Sequence, residues 1–232
     1  MPPLRGVRER ARAEITAAII AEAHRQLAEV GPTALSLRSV ARELGVASSA
    51  LYRYFASRDE LLTALIIEAY DALGEVAEAA AAATTDSGPA ARWCAVATAI
   101  RGWSLEHPHQ YALLFGSPVP GYHAPEATIG PASRVTLTLL KVVDDAYRAE
   151  QFTLPAAAVA PSGALRRDVD GLLHDTALAL PAEMVAPLVA AWTQLFGLVS
   201  FELFGQTSNV FEAHDDLFAH TAAAMASFLG LP

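Results

Sequence analysis

The chain has 232 residues, 53% of them hydrophobic, with 25 acidic against 16 basic side chains and a formal net charge of −9 at pH 7. That apolar content excludes a wholly disordered chain, and the length is ample for a buried core in one large or two small domains. One cysteine, Cys94, excludes an internal disulfide, agrees with a reducing compartment and reads as a small buried hydrophobe. No stretch reaches the roughly 18 to 20 uninterrupted apolar residues of a membrane span. The apolar run Ile15 to Ala21 is clipped by Glu14 and Glu22 and has no cleavage signature, so the chain reads as cytoplasmic with no membrane partner. Ala, Leu and Glu dominate, and β-branched residues never alternate, so the expected fold class is all-α.

Charge is distributed unevenly. Residues 1–58 hold nine arginines (Arg5, Arg8, Arg10, Arg12, Arg25, Arg38, Arg42, Arg53 and Arg58) against five glutamates, a net of +4, while the remaining 174 residues carry a net of −13. A basic head on an acidic body suggests one segment that meets polyanions and another that does not.

In chain order, the first element is a helix from Arg10 with Ile15, Ile19 or Ala18, Ala23 and Leu27 at helical spacing, stopped at Gly31-Pro32. A second, short helix follows in SLRSVAREL, with Ser36 as N-cap and Leu37, Val40, Ala41 and Leu44 on one face. Gly45-Val46 makes a tight turn, and SSALYRYF forms a third helix. Two short helices joined by about three residues are the helix-turn-helix pattern. A helix that enters the major groove exposes small or polar side chains where the bases lie and keeps apolar ones behind. Here Ala47, Ser48, Ser49 and Ala50 are small, and Leu51 and Phe55 face the core. Tyr52, Arg53 and Tyr54 are left near the groove walls, where phenol and guanidinium groups can bond phosphate oxygens. SRDE then forms a capping box, Ser57 with Glu60, and places Arg58 at a helix N-terminus that favours a phosphate. A merely packed helical hairpin would share this periodicity; the charge asymmetry and the small-residue first turn favour nucleic acid.

In ALSLRSVARELGVASSALYRYFASRDELL the chain resembles the TetR family of bacterial transcription regulators over roughly residues 12–62. Arg38, the Gly-Val turn, the Leu-Tyr-x-x-Phe core and the Ser-Arg-Asp-Glu start of the fourth helix occur together at the family's spacing. By that likeness Arg38, Tyr52, Tyr54 and Arg58 fall where family members touch phosphates, and Ala47, Ser48 and Ser49 where they approach bases. Relatives often begin the recognition helix with Ser then Lys; Ala47 then Ser48 stand here, so the operator sequence does not follow.

The expected division is a DNA-binding domain over 1–58 and a ligand-binding and dimerisation domain over 59–232. Within the latter, helices are expected over 58–83, AARWCAVATAIRGWSLEH, HQYALLFG and PASRVTLTLLKVVDDAYRAEQF. The proline-bearing residues 116–128 form a loop and a candidate pocket lid, and 153–164 form a second loop before a helix over 165–178. The last two helices are apolar on two sides. Leu188, Trp192, Leu195, Phe196, Val199 and Leu203 form one face, with Ala191, Leu198 and Phe201 on another. Phe211, Phe218, Ala222, Met225 and Leu229 form a stripe opposed by Leu217, Ala224 and Phe228. Such helices need cover on both sides, one within the domain and one from a partner, which predicts a homodimer through four helices; Leu188, Trp192, Leu195, Phe196, Val199, Leu203, Phe211, Phe218, Ala222 and Met225 are the candidate interface residues, and which of the two faces meets the partner stays open. The C-terminal half also resembles the TetR subgroup named for a Trp-His-Gly motif, on WSLEHPHQYALLFGSPVPGY and WTQLFGLVSFELFG. Trp192 and Gly197 keep their places, and Phe196 stands where the naming histidine would be.

The resemblance implies a small-molecule effector bound in the C-terminal domain, which alters the spacing of the DNA-binding heads. Trp103, Tyr111, Phe115, Tyr122 and Phe152 supply material for an apolar pocket, with His107 and His109 as polar anchors; ordinary core is the competing role for each aromatic. His107-Pro-His109 lacks zinc-spaced partners, so no metal or other cofactor is expected. Nor is catalysis, since nucleophile-elbow, phosphate-loop and metalloprotease motifs are missing. The reading is therefore a DNA-binding regulator acting on a palindromic double-stranded operator, with repression released by a largely apolar ligand. The alternative is an effector-independent regulator or architectural protein.

Overall fold

The computed structural model describes residues 4–155 and 158–232, with side chains from Glu9 onward, so the side chains of Arg5 and Arg8 lie outside it, as do positions 156 and 157 of the second expected loop. Among the described residues there are ten α-helices and no strand: α1 (Leu4–Ala34), α2 (Leu37–Glu43), α3 (Ser48–Leu51), α4 (Arg58–Ala83), α5 (Pro89–Glu106), α6 (Pro108–Phe115), α7 (Ile129–Arg148), α8 (Gly163–Thr176), α9 (Val185–Leu203) and α10 (His214–Phe228). The all-α expectation holds. Short 3-10 turns at Glu126–Thr128 and Ala182–Met184 lead into α7 and α9.

The chain divides into two compact units that interleave in sequence. The first is Met1–Asp71 with His107–Pro131, and the second is Ala72–Glu106 with Ala132–Pro232.

In the first unit α1 ends physically at Gly31, whose φ of 72° leaves the helical region, as the Gly-Pro stop predicts. Ile19, Ala23 and Leu27, four apart on α1, bury one stripe against Leu37, Val40 and Ala41 of α2 and Leu61, Leu62 and Leu65 of α4. Leu51 and Phe55 close the same core. Full burial of each large apolar side chain is worth roughly 1.5–3 kcal/mol. That sum, rather than local propensity, holds elements as short as α2 and α3, which would not persist alone. Helix α6 packs on α1, and Leu113 joins this core.

In the second unit α5 presents Trp93, Val96, Ala97, Ile100 and Trp103 inward, at i, i+3, i+4, i+7 and i+10. It packs against both α9 and α10, which also touch each other. The buried carboxylate of Asp144 on α7 is satisfied twice, by Arg148 Nε at 2.6 Å and by the Ala179 backbone N–H at 2.6 Å. Ala182–Leu203 has a mean hydropathy of 1.6 and is, by length and composition, long and apolar enough to cross a membrane. Counting only uninterrupted apolar runs misses it, because Glu183, Thr193 and Gln194 break the run. Its stripe Leu188, Ala191, Leu195 and Val199 is buried within the unit, as in the core helix of a globular domain.

Candidate nucleic-acid interface

The turn between α2 and α3 is fixed by its backbone. Gly45 has φ 67°, which glycine adopts without strain. Its N–H bonds the Arg42 carbonyl at 3.1 Å, while the Val46 N–H reaches the Ala41 carbonyl at 3.0 Å, so the last carbonyls of α2 are satisfied as the chain reverses. At the other end of α2, Ser36 caps by accepting the Ser39 N–H at 3.1 Å. The expected eight-residue third helix is α-helical only over Ser48–Leu51 and continues as turns through Tyr54, held by the Tyr54 and Phe55 N–H groups on the Leu51 carbonyl. Ala47 stands at its N-cap with no side-chain bond. The first-turn amides of α3 are therefore not consumed by a cap.

Around this turn Arg38, Arg42, Ala47, Ser49, Tyr52 and Arg53 are exposed, while Ser36 and Ser48 are half-buried. Arg38 and Arg42 are four apart and share one side of α2, whose opposite side, Leu37, Val40 and Ala41, is buried. Arg42, part of the basic head by charge, is brought beside Arg38 by its i+4 spacing and lies 3.3 Å from Glu43.

Two residues have other duties. Tyr54 is half-buried on the core, with the Arg12 guanidinium 5.3 Å from its ring centroid. Arg12 also reaches the Arg53 carbonyl at 3.4 Å. Arg58 has the more extensive contacts. Its guanidinium donates to the carbonyls of Pro32 (2.7 Å), Leu35 (3.1 Å) and Thr33 (3.4 Å) and lies 3.6 Å from Asp59. These donors tie the start of α4 to the α1–α2 link, and the Arg58 side chain is half-buried there. The capping box at α4 is displaced by one residue: Ser57 Oγ accepts the Glu60 N–H at 3.1 Å, while the Glu60 carboxylate reaches back to the Ala56 N–H.

The residues put forward for a ligand pocket fall in both units. Trp103 and Phe152 belong to the second unit, and His107, Tyr111, Phe115 and Tyr122 to the first. Tyr111 is fully buried, its ring tilted at 43° to that of Phe115 with centroids 4.9 Å apart, and Phe115 in turn meets Tyr70 edge-on. Tyr122 packs on the head core, and its hydroxyl meets Thr63 Oγ1 at 2.9 Å; Val119 packs there too. Phe152 sits edge-on to Tyr147, and His107 stands at the N-terminus of α6. Among the described residues no group of three His, Cys, Asp or Glu side chains could hold a metal ion. The apolar cavity that sequence reasoning missed lies in the second unit, among α5, α7, α8 and α9.

The expected dimer face also needs correction. Leu188, Leu195, Val199, Phe218, Ala222 and Met225 are all 3% exposed or less and form the protomer's own core, as does Ala191 from the opposing set. Trp192, Phe196 and Leu203 are half-buried, and Phe211 is exposed in the α9–α10 connection. The outward stripe is instead Gly197, Phe201 and Phe204 from the α9 side, with Leu217, Ala224 and Phe228 on α10. Arg101 anchors both helices from behind, through a two-point bond to Glu202 at 2.7 and 2.6 Å and a bond to Asp215 at 2.7 Å.

A short, small-residue helix set off from a second helix by a tight glycine turn and flanked by exposed arginines defines a helix-turn-helix DNA-binding protein. Residues 19–65 match the bacterial regulatory proteins of the tetR family, and residues 93–225 match the Tetracyclin repressor-like, C-terminal domain. Two relatives, the HTH-type transcriptional regulators Rv1816 of Mycobacterium tuberculosis and Mb1846 of Mycobacterium bovis, are each 38% identical over 87% of this chain and 86% of their own length. The crystal structure of a regulatory protein, SCO4313, superposes with a TM-score of 0.76 at 31% identity, covering 94% of this chain and 98% of that one. The chain belongs to the TetR family and is a DNA-binding transcriptional regulator.

Proposed function

We propose that the protein is a homodimeric repressor that holds a two-fold-symmetric operator and leaves it when a small, largely apolar molecule enters the second unit. The observation that carries the DNA half of this reading is the exposed set Arg38, Arg42, Tyr52 and Arg53 around Ala47, Ser48 and Ser49, on a basic head attached to a body of net −13. Basic and phenolic groups fix register on phosphates, and the small first turn lets the α3 backbone approach base edges. The domain expectation is refined accordingly: the DNA-reading surface lies within 1–58, on a head unit that also includes α6.

Dimerisation is supported by the outward apolar stripe of α9 and α10. Phe201 is 56% exposed and Phe228 41%, and a Cβ at Gly197 would meet nothing within 4 Å, which leaves room for a second helix to approach closely. A two-fold pair presents its recognition helices to successive major grooves, about 34–36 Å apart or a multiple of that. Placement in the Trp-His-Gly subgroup rests on Trp192 and Gly197 and gives no role to the histidine that Phe196 replaces. The test is a reporter driven by a promoter that carries a duplex selected by the purified protein. Expression of the protein silences the reporter if it represses; a rise in output or no change refutes repression.

A further inference from the structure

We propose that Arg12 is a positioning residue for DNA reading: from the exposed amino-terminal half of α1 it braces the far end of the recognition element and holds the backbone from which the Arg53 side chain leaves toward phosphate. Arg12 lies ahead of residues 19–65, which carry the family match, and the helix-turn-helix pattern itself does not call for it. The proposal rests on the reading of Ala47 to Arg53 as the DNA-facing segment, and it adds the residue that sets the end of that segment.

The need for a brace follows from the length of α3. Ser48–Leu51 is a single turn, and a helix that short does not hold itself in water. Its start is fixed by the Gly45 turn, and Leu51 and Phe55 are buried in the head core. Between those two anchors Tyr52, Arg53 and Tyr54 run as turns, with Tyr52 and Arg53 exposed. Arg12 meets this stretch at two points. Its Nη2 donates to the Arg53 carbonyl at 3.4 Å, and its guanidinium carbon lies over the Tyr54 ring, 5.3 Å from the centroid. A planar cation can make both contacts at once, donating from its edge while its face lies against the ring. The other end of the brace is firm, because α1 runs on into Ile19, Ala23 and Leu27, all buried. Arg12 and Arg53 are 41 positions apart, so the contact is a tertiary tie and not a local cap. A brace and a phosphate contact leave different traces. Losing a phosphate contact weakens specific and random duplexes alike and lowers the salt slope. Losing a brace lets the Arg53 backbone drift, which costs the complex held in register more than the loosely held non-specific one.

Arg12→Gln removes the charge and the brace together, while Arg12→Lys keeps the charge and loses the flat two-point contact. Arg12 is exposed, so both full-length variants keep the parent's melting temperature to within about 2 °C. Affinities are measured over a salt series for a duplex that the parent selects from a randomised pool and for a scrambled duplex. The expected result is a fall of roughly three- to tenfold in the specific-to-random affinity ratio in both variants, with the salt slope of Arg12→Lys equal to the parent's. Tyr54→Leu removes the ring face and reproduces part of that fall, and it adds little when combined with Arg12→Lys, because both act through one contact. If Tyr54→Leu, half-buried on the core, does not fold, the two Arg12 variants decide. Full parent behaviour in Arg12→Lys, or a slope lower by about 1 in Arg12→Gln at an unchanged ratio, overturns the brace and makes Arg12 a phosphate contact. A lower melting temperature at an unchanged ratio overturns it too, leaving a merely structural tie. A parent that prefers no duplex defeats the DNA-facing assignment itself; a parent with a clear preference that neither Arg12 variant weakens defeats the brace alone.

Discussion

The guanidinium of Arg58, the first residue of α4, donates to the backbone carbonyl of Pro32, 26 residues earlier, at 2.7 Å. With its bonds to Leu35 and Thr33, it fixes the α1–α2 link against the start of α4. The orientation of α2, and through the Gly45 turn that of α3, depends on a residue that is half-buried at the start of α4.

Arg58→Ala is accordingly expected to destabilise the protein by about 1–3 kcal/mol, since it strands carbonyls that a charged donor satisfies. Chemical denaturation measures this loss. The salt dependence of DNA binding by the folded fraction stays as it was, because no phosphate contact has been removed. A change in salt slope without a change in stability would return Arg58 to the phosphate-contact role.

Arg38→Ala and Arg42→Ala behave in the opposite way. Both side chains are exposed on α2, so stability changes by no more than about 0.5 kcal/mol. Each removed charge weakens binding to specific and random duplexes alike and lowers the logarithmic salt slope by about 1. Anisotropy titrations over a salt series read both effects.

Glu78 on α4 and Arg134 on α7 are joined by two bonds, at 2.9 and 2.7 Å. Hydrogen bonding to Arg134 holds the Glu78 carboxyl below the usual carboxylate range, against a smaller opposing effect of burial. A carboxyl whose folded pKa is depressed contributes stability that is present above its unfolded value and is lost as pH falls through the folded value. The melting temperature of Glu78→Gln should therefore lie below that of the parent at neutral pH, and the two should converge once the medium is acidic enough to protonate Glu78 in the folded state. A gap that persists unchanged into acid would assign the effect to packing.

Gly197→Leu places a side chain on the outward face of α9 where the protomer offers open space, so the monomer folds with its melting temperature nearly intact. Sedimentation should show the dimer weakened or lost, with Phe201→Asp giving the same outcome by charge. Both variants remaining dimeric would move the interface elsewhere.

The local elements were legible because their causes are local. The Gly31 stop, the Ser36 cap, the Gly45 turn and the stripe Ile19–Ala23–Leu27 each declare themselves within a few residues. What failed to show was long-range. Nothing near Arg58 announces that its partners are carbonyls more than twenty positions back, and nothing in PHQYALLF reveals that this helix joins the head by packing on α1. Helices α9 and α10 read correctly as two-faced, yet periodicity is symmetric with respect to inside and outside. The stripe assigned to a partner was the protomer's own core, and the outer stripe held Phe201 and Phe228. The cavity escaped for the same reason: Trp93, Leu139 and Val185 come from three separate helices, and each alone is an ordinary core residue.

The central claim is that paired heads read DNA through the segment from Ala47 to Arg53. Selection from a randomised duplex pool, repeated with the Ser49→Trp protein, tests it most directly. The account predicts enrichment of a two-fold-symmetric sequence by the parent and its loss in the variant, whose bulk holds α3 away from the base edges while non-specific, salt-dependent binding survives. Enrichment of the same sequence by both proteins would contradict it.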